Sequence, residues 1–245
     1  MLYRAAIASL IAIVGVHTTA QAAPVADYSV QFDSSFNAAA NTQLTLVNAD
    51  VQADGLHTNE ALWGTSSVSL ANVLSTGSEY TISLDFAYVG RTDSSRKILD
   101  FFGRSSEAGF YLNSGGFVFY DGLGHPQAES FASVLSPYEA FNVTVSRTSA
   151  GIFTAYFNGV EQLQFEDSAG LAVFNSPGFA AYILTDEVDG YEITNGALTG
   201  ISVYKTALST SDLGGGISPV PEPESYALAL AGLLTVGSLM KRRRA

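Results

Sequence analysis

Between Tyr80 and Tyr88 the side chains alternate without a break. Tyr80, Ile82, Leu84, Phe86 and Tyr88 are large and apolar, while Thr81, Ser83, Asp85 and Ala87 are small or polar. A period of two gives one greasy face and one wet face, which is a half-buried strand and not an amphipathic helix. Phe141, Val143 and Val145 repeat the pattern against Asn142, Thr144 and Ser146. Residues 152–157 run into Asn158-Gly159, a strong two-residue hairpin signal because both types tolerate positive φ, and residues 160–165 return. Residues 97–102, 109–113 and 116–121 read as further strands, the last two joined through Ser114-Gly115. Residues 179–184 and 198–204 supply late ones. Strands at short, regular intervals with no helical period between them predict an all-β fold, two antiparallel sheets packed as a sandwich. One helical turn is expected at residues 207–213, started by Ser209 or Thr210 and ended by Gly214-Gly215-Gly216.

The two ends of the chain have a different character. Arg4 precedes an apolar stretch at residues 5–16, and Ala20-Gln21-Ala22 places small residues where a signal peptidase reads. Export with cleavage before Ala23 is expected. At the other end Val220, Pro221, Glu222 and Pro223 lead into 16 apolar or small residues, 225–240, and then Lys241, Arg242, Arg243 and Arg244. The prolines keep the chain extended, the apolar run suits a thin transmembrane helix, and the four cations act as a stop-transfer signal. This order of parts resembles the PEP-CTERM sorting signal. The resemblance implies an exosortase-type processing enzyme as partner. It also implies a transient stay in the inner membrane, then the cell surface or extracellular matrix of a Gram-negative-type bacterium. The expected organisation is a signal peptide at 1–22, a sandwich domain at 23–213, a glycine-rich linker at 214–219 and a sorting segment at 220–245.

Between those ends the domain holds 21 acidic residues, the chain's 23 less Glu222 and Glu224, against six basic ones, a net charge near −15. Nucleic acid is excluded as a partner on this ground, since each phosphate contact needs a Lys or Arg. Neutral sugars and divalent cations are compatible with it. The absence of cysteine removes disulfides, thiolate nucleophiles and the usual structural zinc sites. His57 and His125, the histidines outside the signal segment, are too far apart in sequence to suggest a zinc pair and are expected at the surface. No serine-hydrolase elbow, phosphate loop or dinucleotide fingerprint is present. Asp54, Asp121 and Asp167 stand beside turn residues and are expected to form turns. Trp63, Tyr111, Tyr120 and Tyr191 are of the type that stacks on sugar rings, among many aromatics that must be core.

Three stretches together resemble the laminin G-like, concanavalin A-like jelly-roll superfamily. They are Phe141 to Arg147, Thr154 to Val160 with its Tyr156-Phe157-Asn158-Gly159 hairpin, and the closing strand Leu198 to Ser209. Residues 59–68 resemble an early strand of the same superfamily. The resemblance implies a jelly-roll sandwich and a non-enzymatic binding module for carbohydrate or a matrix protein. No cofactor beyond calcium is implied.

One acidic cluster has three readings. Glu187, Asp189 and Glu192 stand at the E-x-D-x-x-E spacing of laminarinase-like glycoside hydrolases, which makes a polysaccharide-active enzyme the alternative function. Gly190 and Asn195-Gly196 interrupt the strand such an enzyme needs. Asp186, Glu187 and Asp189 with nearby carbonyls instead suit the oxygen-rich coordination of calcium at a loop rim. The third reading is a solvated loop between two strands.

Overall fold

The structure, a computed structural model, describes residues 23–58, 65–90, 95–130, 135–186, 192, 194 and 196–213. The signal segment, the sorting motif Val220 to Pro223 and the cations Lys241 to Arg244 lie outside the described residues, as do Trp63, Glu187, Asp189 and Tyr191. Among the described residues, no helix is long and apolar enough to cross a membrane.

In chain order the strands are β1 (Tyr28–Gln31), β2 (Leu44–Val47), β3 (Ala49–Gln52), β4 (Gly55–Thr58), β5 (Ser67–Leu70), β6 (Tyr80–Val89), β7 (Arg96–Asp100) and β8 (Gly109–Asn113). They continue with β9 (Gly116–Tyr120), β10 (Pro126–Glu129), β11 (Phe141–Arg147), β12 (Ile152–Phe157), β13 (Val160–Glu166), β14 (Ala181–Ile183) and β15 (Gly196–Tyr204). One sheet runs β13-β12-β11-β6-β15-β4-β3, with β1 pairing β15; the other runs β10-β9-β8-β7-β14-β5-β2. Every pairing is antiparallel. The result is the expected two-sheet, jelly-roll-like sandwich.

The alternation in β6 decides its place. Ile82, Leu84 and Phe86 are at most 2% exposed, and β6 lies inside its sheet between β11 and β15. Val145, Val143 and Phe141 stand opposite Ile82, Leu84 and Phe86 in register, so both strands present one apolar face to the same core. Between the sheets Phe153 is fully buried and faces the rings of Phe101, Phe110, Phe119 and Phe165 at 5.1–6.1 Å between centroids. Tyr80 joins this cluster through Phe101 and Phe174, and its hydroxyl donates to Ala172 O at 2.7 Å, so its polar tip is satisfied inside the core. The β12–β13 turn has Asn158 and Gly159 at φ 48° and 78°, the left-handed pair its sequence predicts.

Several local expectations need correction. Strand β7 ends at Asp100 and not at Phe102, because Asp100 Oδ1 accepts the N–H groups of Phe102 and Arg104 and turns the chain away. The late strand expected from residue 179 begins at Ala181, because Pro177–Phe179 forms a short 3-10 turn. The early strand expected at 59–68 is found in part, as β5 from Ser67. The turn near the end of the domain is a single hydrogen-bonded turn, with Leu213 N–H donating to Ser209 O and Ser209 bonded to Asp212. Asp167 forms its turn through bonds from Leu171 and Ala172 N–H, but it is also buried and paired with Arg147 Nε at 2.8 Å.

Candidate functional site

Ser83 and Asp85 on β6 point away from the core, and the antiparallel register sets Thr144 and Asn142 of β11 opposite them. Four polar side chains are thereby gathered on the outer face of the first sheet. Asn142 Nδ2 donates to Ser83 Oγ at 2.7 Å and to Asp85 Oδ1 at 2.8 Å. Thr144 Oγ1 lies 2.9 Å from both Ser83 Oγ and Asn142 Oδ1. Asn158, at the β12–β13 turn, accepts the Asn142 N–H through its side-chain oxygen at 2.8 Å and so ties the turn to this network. Tyr204 closes the other side. Burial first, and then the charge of Asp85, holds its phenol above the ordinary range, so it stays a neutral hydroxyl donor.

These groups line a groove of about 320 Å³ that also includes Ala23, before β1, and Leu213, after β15. Among the described residues Asp85 and Asp212 are its charged ones, and no Lys or Arg lines it. Asp212 is already engaged by the N–H and hydroxyl of Ser209, which holds its carboxyl below the usual range. What remains is a surface of hydroxyls, amides and one accepting carboxylate beside the apolar side chains of Ala23, Pro24, Leu208 and Leu213, a mixture that matches neutral polyhydroxylated ligands, with their polar rims and apolar ring faces, and repels anions. Strand alternation places Ser83, Asp85, Asn142 and Thr144 on wet faces, but which wet faces meet is a matter of long-range pairing.

Asp186 and Glu192, the described residues of the acidic stretch, are somewhere else, beside Lys97 of the second sheet. Asp186 is 1% exposed and turned inward. Its Oδ2 accepts the Glu192 N–H at 2.8 Å, and its Oδ1 lies 3.6 Å from the ammonium of Lys97. Lys97 is itself fully buried, 3.2 Å from Asp100 Oδ2, and donates to Ser106 O at 3.0 Å. Oxygens of Glu107, Asp186 and Glu192 come within 4.8 Å of one another. Burial, together with the charges of Asp186 and Glu107, raises the Glu192 carboxyl above its usual range.

Three carboxylates are a hard donor set of the kind calcium takes. Asp186, however, already faces the Lys97 ammonium, and a divalent ion sharing that carboxylate would meet a positive charge at contact distance. The described residues therefore do not fit calcium at Asp186 while Lys97 occupies this pocket; the other two expected donors, Glu187 and Asp189, lie outside the described residues. Of the expected catalytic cluster only Glu192 is placed, half-buried and remote in topology from the groove. Tyr111 and Tyr120 pack edge to face at 5.1 Å, with Tyr111 buried and bonded to Glu107, so Tyr111 is not a sugar platform. His125 is an exposed partner of Asp121, and His57 is bonded to Asp54 from strand β4.

No protein-family model matches this chain, and no curated protein sequence does. Solved structures do. Domain 4 of AbnA, a GH43 extracellular arabinanase from Geobacillus stearothermophilus solved in complex with arabinotriose, is 16% identical with a TM-score of 0.54, over 78% of this chain and 97% of that one. A Trypanosoma rangeli sialidase is 12% identical with a TM-score of 0.50, over 69% of this chain. The match spans only 28% of the sialidase. At these identities the likeness is one of architecture: the chain has the two-sheet β-sandwich fold that the arabinanase domain also has.

Proposed function

We propose that this chain is an exported, non-enzymatic β-sandwich module of laminin G-like type that binds a neutral polysaccharide in the groove around Asp85, Asn142 and Tyr204. The observation that carries the reading is the groove's lining, a pre-formed network of hydroxyls and amides with an accepting carboxylate beside apolar side chains and, among the described residues, no cation. A sandwich domain of the same fold solved with arabinotriose supports a sugar as ligand class. Binding of the full chain to an array of neutral and acidic oligosaccharides tests it. Neutral glycans are expected to bind, and sulfated or uronic-acid glycans are not. Asp85→Ala removes a charged acceptor, worth ~1.5–3 kcal/mol, so affinity should fall about tenfold or more. Equal binding by the variant, or binding confined to acidic glycans, would overturn the assignment. Release of reducing ends by the wild type, lost in Glu192→Gln, would replace the binding module by the polysaccharide hydrolase.

The address at the two ends belongs to the same proposal. The signal segment directs residue 23 onward out of the cytoplasm, and Lys241 to Arg244 retain the far end. Val220-Pro221-Glu222-Pro223 is then presented, extended, to an exosortase-type enzyme at the outer face of the inner membrane. Surface-localised protein should lack residues 225–245 by mass spectrometry, and Pro221→Ala with Pro223→Ala should accumulate as full-length protein in the inner membrane. An intact C-terminal Arg-Arg-Arg-Ala on surface material would make the tail a plain anchor.

A further inference from the structure

The buried cation beside Asp186 is unlike an ordinary ion pair. Lys97 sits on the outer face of β7, where a strand lysine normally reaches water, yet it is fully buried, with Ser106 O, Asp100 and Asp186 around its ammonium. Its stem passes over Gly109, where a Cβ would come within 3.2 Å of Lys97 Cε and 2.9 Å of Leu99 O, and its ammonium lies 5.2 Å from the centre of the Tyr111 ring. Both possible carboxyl partners are as dry as the lysine, Asp100 at 0% and Asp186 at 1% exposure.

Each partner is held differently. Asp100 is committed on both oxygens, Oδ1 to the Phe102 and Arg104 N–H groups and Oδ2 to Lys97. Asp186 is fixed from both sides, its backbone oxygen by Arg104 Nε at 2.7 Å and its Oδ2 by the Glu192 N–H. The chain just before Asp186 is bound to the strand of Lys97, since β14 pairs with β7 and Leu184 N–H donates to Ile98 O. Lys97 Nζ and the Asp186 carboxyl are therefore held 3.6 Å apart by backbone on both sides. The 3.6 Å runs from Nζ to Oδ1, one bond away from the Cγ that would react, so amine and carboxyl share one dry pocket, and fixed proximity of this kind replaces part of a bimolecular barrier.

We propose that Lys97 and Asp186 are a self-modification site, at which the Lys97 amine and the Asp186 carboxyl condense to an isopeptide bond. In a water-free pocket the charged pair loses its hydration, so a neutral amine beside a neutral acid becomes accessible. The Lys97 ammonium passes one proton to the Asp186 carboxylate. The amine lone pair then attacks Asp186 Cγ, forming the C–N bond, and the Cγ–OH bond breaks. The nitrogen proton and the departing hydroxyl leave as one water, so no oxidant or other reactant is needed. Glu192, whose carboxyl oxygen lies within 4.8 Å of that of Asp186, reaches it by a change of side-chain rotamer and carries the proton between nitrogen and leaving oxygen, ending as it began. The raised position of the Glu192 carboxyl agrees with that task. A chain with no cysteine gains by this route the covalent strut that an exported domain usually takes from a disulfide.

The test is peptide mass spectrometry of the full chain, purified from bacterial cells, denatured and digested with trypsin. The expected product joins the peptide bearing Lys97 to the peptide of residues 148–205, lighter than their sum by one water, with no cleavage after Lys97. Asp186→Ala and Lys97→Met should abolish it. Because either may fail to fold, Glu192→Gln is the informative variant: it should keep the native circular dichroism spectrum and lose most of the linked product. Cleavage after Lys97 in the wild type, releasing residues 98–104 at sequence mass, would overturn the proposal and leave a buried ion pair. Loss of water within residues 97–104 would assign the bond to Asp100 and overturn Asp186 as the partner. Full linkage in Glu192→Gln would remove Glu192 from the step.

Discussion

Phe153→Ala is expected to destabilise the sandwich by about 3–5 kcal/mol, the usual cost of deleting a large buried aromatic. Phe153 is fully buried between the sheets and its ring touches four others, Phe101 and Phe110 of the second sheet's side, Phe119, and Phe165 on the neighbouring strand β13. These come from distant parts of the chain, so the space left behind cannot be refilled by moving one side chain. A domain of this size has roughly 5–15 kcal/mol in all, so the loss is a large share of its stability. Denaturant unfolding followed by far-ultraviolet circular dichroism reads it. A loss below about 1 kcal/mol would show that the cluster relaxes into the gap, contrary to close packing.

Arg147→Ala should cost about as much, ~3–5 kcal/mol, for a different reason: it leaves a carboxylate buried without its cation. Asp167 is fully covered, accepts from Arg147 Nε at 2.8 Å and holds the N–H groups of Leu171 and Ala172, while Arg147 also donates to Ser78 O. One ion pair thus fastens the end of β11 to two loops. Removing both charges together, as Arg147→Met with Asp167→Leu, should recover part of the loss, although the N–H groups of Leu171 and Ala172 then lack their acceptor. If the single and double variants unfold alike, the cost lies in those loop bonds and not in the stranded charge.

The strands that were legible are those whose residues alternate strongly. Strands β6 and β11 declare themselves through Ile82-Leu84-Phe86 and Val143-Val145, because each buries one face fully, and β12 and β13 through the Asn158-Gly159 turn that joins them. Strands β2 and β3 bury no residue completely, with Thr45, Val47, Asp50 and Gln52 exposed, and their weak contrast hides them. Strand β10, Pro126-Gln127-Ala128-Glu129, has almost no apolar residue and exists through its pairing with β9. For the groove, alternation identifies Asp85 and Asn142 as outward-facing but not as neighbours, since that depends on β6 and β11 pairing across a long stretch of chain. Lys97 was the least legible residue of all. Nothing local distinguishes a buried lysine from one in water, and its partner Asp186 reads as the start of a solvated acidic loop.

The groove's lining includes both Ala23 and Leu213, and β1 pairs with β15 so that Tyr28 stands opposite Val203. This arrangement sets the path of mechanical load. A pull applied between the two ends of the domain would open β1 from β15 like a zipper, one hydrogen bond after another, and would meet little resistance. A pull between the polymer we propose for the groove and the chain that continues after Leu213 is another matter. Both attachments sit on the same patch, where Leu208 N–H donates to Thr81 Oγ1 and Thr81 Oγ1 in turn to Thr206 O. Tension then crosses from β6 to the end of β15 over a few side chains, and the rest of the sandwich hangs slack beside the line of force.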